Sequence, residues 1–194
     1  MTAGKSTILN AMATKGCFMS DVLADGWEAY QSWPPRALAD PRRATETQLK
    51  AGFVEIVTAE GPVLALRVLQ AYAKAGGVSR LTPSFRPKMI RTLQLLIDGG
   101  ELIAVDEYGC AEEDPSRFVL RTPDQSTVRP RTLGDRSFDE IPPSEIAELA
   151  LEIRIRHELI GEEELTRKVL SHYGLKRLTG LVKRHMDLVL TTYF

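Results

Sequence analysis

"GGVSRLTPSFRPKM" occupies residues 76–89, and "YGLKRLTGLVKRHM" occupies residues 173–186. Gly77 and Gly174, Arg80-Leu81-Thr82 and Arg177-Leu178-Thr179, and Met89 and Met186 hold the same relative positions, 97 residues apart. Each stretch carries at least three basic side chains and no acid. The same shift lays Ile153 on Ile56, Ile160 on Val63, Leu165 on Val68 and Leu190 on Leu93 without a gap. Self-similarity at a fixed interval predicts a duplicated unit.

Each copy reads as three helices. Thr45 with Gln48 fits a capping box, and Leu49, Phe53, Ile56 and Val57 then fall on one helical face. Gly61-Pro62 ends that helix. Val63 to Ala75 is expected as the second, with Leu64, Val68 and Tyr72 at four-residue spacing and Gly76-Gly77 as the stop. The third is expected to start near Pro87, where a missing N–H costs nothing. Its buried stripe is Met89, Ile90, Leu93, Leu96 and Ile97. "ELIAVDEY" and "RFVLR" then read as two strands around "GCAEEDPS". In the second copy Ser144–Glu158 is the first helix. Glu162, Glu163 and Glu164 suit the first turn of the second, and Thr179 caps the third.

Three helices and a β-hairpin are the order of a winged helix. The expected fold class is mainly α with a small β-hairpin, an α+β protein of tandem winged-helix or helix-turn-helix units. The expected division is an N-terminal arm at 1–43, a winged-helix unit at 44–122, a linker at 123–143, and a helix-turn-helix unit at 144–194 with its wing missing or truncated. "SWPPRALADPRR" (32–43) and "TPDQSTVRPRTLGDRSFDEIPP" (122–143) supply the irregular composition for the arm and the linker.

The stretches "VTAEGPV" (57–63), "GVSRL" (77–81), "VRPRTLGDRSFDEIPPSEI" (128–146) and "GLKRL" (174–178) carry a resemblance. From about residue 42 onward the chain resembles the uncharacterised domain at the C-terminal end of large bacterial helicase–nuclease proteins. That resemblance implies a setting in DNA processing or anti-phage defence, with a helicase–nuclease protein as a partner. The chain lacks the helicase and nuclease parts of those long proteins.

In a helix-turn-helix the third helix lies in the major groove and its first residues meet bases and phosphates. The candidate DNA-binding residues are therefore Arg80, Arg86, Lys88 and Arg91 in the first copy, and Arg177, Lys183, Arg184 and His185 in the second. Glu112, Glu113 and Asp114 at the expected wing tip oppose phosphate. They leave open a wing held clear of DNA or a module that docks a protein. The linker arginines Arg121, Arg129, Arg131 and Arg136 read as a solvated loop or a second backbone-following group.

The totals limit the alternatives. With a formal net charge of −1 across 194 residues, any nucleic-acid affinity must be local. Two cysteines, Cys17 and Cys110, make neither a disulfide framework nor a metal site, so a reduced cytoplasmic setting is expected. Neither a membrane span nor a secretion signal is expected. "AGKST" (3–7) and "LIAVDE" (102–107) imitate a phosphate loop and a Mg²⁺-holding strand, but the loop's first glycine and preceding strand are not in the sequence. His157, His172 and His185 lack ligand spacing, and no catalytic constellation is evident. The expected protein binds DNA without enzymatic activity and without a cofactor.

Overall fold

The computed structural model describes residues 27–109 and 115–194. Helix α1 (Glu46–Glu60) begins on Thr45. The Thr45 Oγ1 accepts from the Gln48 N–H at 3.2 Å, and the Gln48 Oε1 accepts from the Thr45 N–H at 2.8 Å. Two N-terminal donors are thus satisfied reciprocally. Leu49, Phe53, Ile56 and Val57 are buried against α2 (Ala65–Ala75) and α3 (Arg86–Asp98).

Val63 and Leu64 differ from the expectation. They form a short strand, β1 (Val63–Leu64), and α2 begins only at Ala65. Both side chains are buried, and both backbones pair with β3 (Val119–Arg121), Val63 opposite Leu120 and Leu64 opposite Val119. Strand β2 (Ile103–Val105) pairs with the other edge of β3. The sheet is antiparallel in the order β1-β3-β2, so the expected hairpin gains a third strand contributed from between the first two helices. Sequence periodicity misses it because two buried residues ahead of a helix match a helical stripe as well as a strand.

The second half repeats the helical frame. Helix α4 (Pro143–Arg156) packs on α5 (Glu162–His172) and α6 (Gly180–Tyr193) as α1 packs on α2 and α3. The 97-residue shift carries Ala65–Ala75 onto residues 162–172, the bounds of α5. The helix stops match bond for bond. Gly77 and Gly174 both take the left-handed conformation, with φ of 79° and 70°. The Val78 N–H reaches the Ala73 carbonyl at 2.8 Å, and the Leu175 N–H reaches the Leu170 carbonyl at 2.8 Å. The protein is therefore mainly helical with one small antiparallel sheet, an α+β architecture with two hydrophobic cores.

Neither the expected arm nor the expected linker is loose where it is described. Tyr30 and Trp33 are buried. Trp33 joins the first core, while Trp27 packs on the second against His172 and Tyr173. Phe138 and Ile141 complete the second core where a sheet covers the first. Residues 27–33 and 129–145 thus stitch the two units together.

Candidate nucleic-acid interface and the groove between the units

The eight cationic candidates divide by what surrounds them. Lys88 donates its ammonium to the Ala44 carbonyl at 2.5 Å. His185 sits 97 residues later, and its ring Nε2 meets the Ile141 carbonyl at 2.9 Å, again 44 residues upstream. A carbonyl only accepts, so Nε2 carries the proton. Both side chains tie the third helix to the segment that enters the first. His185 is 6% exposed, and burial holds its imidazole below the ordinary histidine range. It is a neutral core residue, which corrects its assignment to a DNA surface: a buried ring cannot reach a phosphate.

Arg86 is half-buried and donates to the Ser116 hydroxyl at 3.1 Å, binding α3 to the 3-10 turn Pro115–Arg117. Lys183 is exposed and pairs with Asp187 at 2.8 Å, so α6 presents an acid beside its cation. Arg80, Arg91 and Arg177 are exposed, and among the described residues none of them forms an ion pair or a side-chain hydrogen bond. Arg80 stands in the turn before α3 with exposed Ser79, Thr82 and Ser84, and Arg91 lies one turn past Pro87 on the open face of the helix. Arg177 occupies the register position of Arg80 in the second unit.

Arg184 faces elsewhere. Together with Leu181 and Leu188 of α6 it lines a groove of about 420 Å³ whose other wall is the first unit, with Leu64, Leu66 and Arg117. The register partners of Leu181, Arg184 and Leu188 are Ser84, Pro87 and Arg91. A face that is polar and open on α3 is largely aliphatic and turned toward the neighbouring unit on α6.

Two of the linker arginines, Arg131 and Arg136, are internal, in contrast to a solvated loop. The side chains of Arg131, Arg136 and Glu145 are 2%, 1% and 2% exposed. Arg131 donates to the Glu60 and Pro62 carbonyls at 2.6 and 2.7 Å and to Glu145 at 2.8 Å. Arg136 binds both oxygens of Glu145, at 3.0 and 2.8 Å, and the Thr132 carbonyl at 2.8 Å. Each buried guanidinium therefore has its donors matched, the condition under which a buried ion pair is tolerated. Their charged planes and that of Arg67 lie 5.1, 4.1 and 5.4 Å from the Tyr30 ring centre, a cation–π arrangement. Burial and the Glu60 carboxylate, which accepts from the Tyr30 hydroxyl at 2.6 Å, push that hydroxyl up. Arg129 pairs with Glu28, and Arg121 donates to the Gln125 carbonyl at 3.0 Å.

"LIAVDE" resolves into β2 and a junction. Asp106 is exposed, while Glu107 is buried and accepts from the Ser144 N–H at 2.8 Å and the Ser144 hydroxyl at 2.7 Å. Burial raises the Glu107 carboxyl, opposed by the bonds from Ser144 and Tyr193. The Tyr193 hydroxyl, itself desolvated and beside Glu107, is pushed up to about 12. "AGKST" and the acids Glu112, Glu113 and Asp114 lie outside the described residues. Among those described, no cluster of three or more His, Cys, Asp or Glu could hold a metal ion, and no helix is long and apolar enough to cross a membrane.

Sequence reading missed Glu107, Tyr30, Leu66 and Arg117. Glu107 ends the "LIAVDE" run without being singled out in it, the other three stand in no motif, and each acquires its role from a partner far away in the chain. No protein-family model, no curated protein and no solved structure matches this chain, so a functional reading rests on its own geometry.

Proposed function

We propose that the first unit is a winged helix that binds duplex DNA, without catalysis, through the open face of α3. The observation that carries this reading is the pair of exposed guanidiniums, Arg80 and Arg91, unpaired among the described residues, on either side of the N-terminal turn of α3, whose first three turns hold no acid. The order of three helices and a β1-β3-β2 sheet supports it, since that topology presents its third helix to a groove. Long cations on a protruding helix suit phosphate contact, and Ser79, Thr82 and Ser84 beside them add neutral donors. Arg177 extends the contact from the second unit. Lys88 and Arg86 act behind this surface by holding α3 in place.

The test is fluorescence anisotropy on duplex DNA across a salt series. Three phosphate contacts give a log–log slope of about −3. Arg80→Glu with Arg91→Glu removes binding by roughly tenfold or more at low salt. Unchanged affinity in that double variant overturns the reading.

A second reading, an accessory subunit that docks a partner such as a helicase–nuclease protein, is favoured by the exposed Leu178 and Leu181 at the start of α6. A DNA-reading helix has little use for leucines there.

A further inference from the structure

We propose that the groove between the two units docks an acidic peptide bearing apolar side chains. This goes beyond DNA binding by α3 and does not depend on it. Leu66 on α2 is 38% exposed and Leu181 on α6 is 44% exposed, and both converge on this one groove from different halves of the chain. Leu64 and Leu188 continue the apolar floor. Large side chains left partly open to water on two facing elements mark a surface that gains from being covered, at about 25 cal/mol per Å² of apolar area.

The charges select the partner. Arg117 comes from the first unit and Arg184 from the second, and among the described residues neither forms an ion pair. Arg117 lies over the Tyr108 ring at 5.6 Å, and Tyr108 stands 5.9 Å from the buried His185 ring, which gives the wall a fixed aromatic backing. Against these two cations the described lining residues include one carboxylate, Asp139, and a histidine that burial keeps neutral. The described lining is thus net positive around an aliphatic floor. A basic segment is repelled, and a sugar–phosphate backbone finds nothing to place on four leucines. Carboxylates flanking aliphatic side chains match both features. The 420 Å³ volume lies within the range of pockets that enclose small groups of side-chain size.

The duplication supports the assignment. At the three register positions where the first unit carries Ser84 in the turn before α3 and Pro87 and Arg91 on it, α6 carries Leu181, Arg184 and Leu188. Where the first unit has a face suited to phosphates, the second has one suited to an apolar, acidic ligand.

The test uses the full chain and a short fluorescein-labelled peptide of alternating Glu-Glu and Leu-Leu pairs, read by anisotropy. Saturable binding with a dissociation constant of about 10–100 µM is expected, since a small interface leaves little surplus over the cost of association. Arg117→Glu with Arg184→Glu weakens it by roughly tenfold or more, while a Lys-Lys/Leu-Leu peptide then binds that variant in preference to the parent. The charge-swapped gain distinguishes a lost site from a lost fold. Leu181→Asp weakens both peptides. Failure of the acidic peptide to bind, or equal binding by parent and double variant, overturns the proposal. So does a double variant that loses duplex DNA but keeps the peptide, which assigns the two arginines to phosphates. The Arg80→Glu/Arg91→Glu variant keeps peptide binding, so the two readings fail separately.

Discussion

In the first unit, α1 starts on its own Thr45 and Gln48; in the second, the same register positions hold Pro142 and Glu145. Pro142 has no side chain that accepts a hydrogen bond, and Glu145 is committed to Arg131 and Arg136. The first N–H of α4, that of Ser144, is met from outside instead, by Glu107 of the first unit. The covers differ in the same way. A sheet closes the first core, whereas Phe138, Ile141 and Trp27 close the second. The two units share one helical frame while the end and the lid of the second are built from neighbours. The second unit is thereby made dependent on the first.

The largest expected effect tests that dependence. Glu145→Ala leaves two buried guanidiniums without their carboxylate and costs about 3–5 kcal/mol in urea unfolding. Gln48→Ala, at the same register position, loses only half of a capping box and costs roughly 1 kcal/mol. Equal costs would break the contrast. Next come Met89→Ala and Met186→Ala, both buried at equivalent positions on the third helices. Each is expected to cost about 2–5 kcal/mol, since each opens a cavity in its own core. A much smaller cost at Met186 would show the second core to be the looser. Gly77→Ala and Gly174→Ala force a side chain into the left-handed region at two sites with open space around them, and each costs roughly 1 kcal/mol. Matching losses in melting temperature would sharpen the equivalence of the two helix stops.

The smallest effect is a slope. All three histidines lie in the second unit, and burial draws His172 and His185 below 6.5. The unfolded chain then binds more protons than the folded one in the window just below pH 6.5. Stability contributed by the neutral rings is complete above 6.5 and is lost as pH falls toward their folded values. Glu107 acts in the opposite sense: its raised carboxyl makes stability decline as pH rises from 4.5 through its folded value. His172→Asn with His185→Asn should therefore flatten the fall in unfolding free energy below pH 6.5. An unaltered slope would remove the histidines as its cause.

The features legible in the sequence were the ones set by neighbours. The Thr45–Gln48 box, Pro87 in the first turn of α3, the glycines at 77 and 174 and the acid-rich start of α5 each depend on residues within one turn. The common register survives because the cores repeat the same apolar spacing. What escaped depends on distance along the chain. Nothing local in "RPRTLGDRSF" says that Arg131 and Arg136 will meet Glu145 and the Glu60 carbonyl, so a run of arginines among Pro and Gly reads as solvated. Tyr30 and Trp33 hid in a Pro-rich arm for the same reason. Of the eight candidate cations, the sequence could place all of them on third helices or their turns. It could not tell which ones would turn back to hold a carbonyl, as Lys88 and His185 do.

Glu107 has a temporal consequence. A ribosome completes β2 and its junction well before Pro142 and Ser144 emerge, so the acceptor that organises α4 is waiting when that helix is made. The first unit waits in its turn, since among the described residues its Glu60 and Pro62 carbonyls are met only by Arg131. Reversing the order of the two halves in the gene would deliver α4 with its Ser144 amide unmet until the other half arrived.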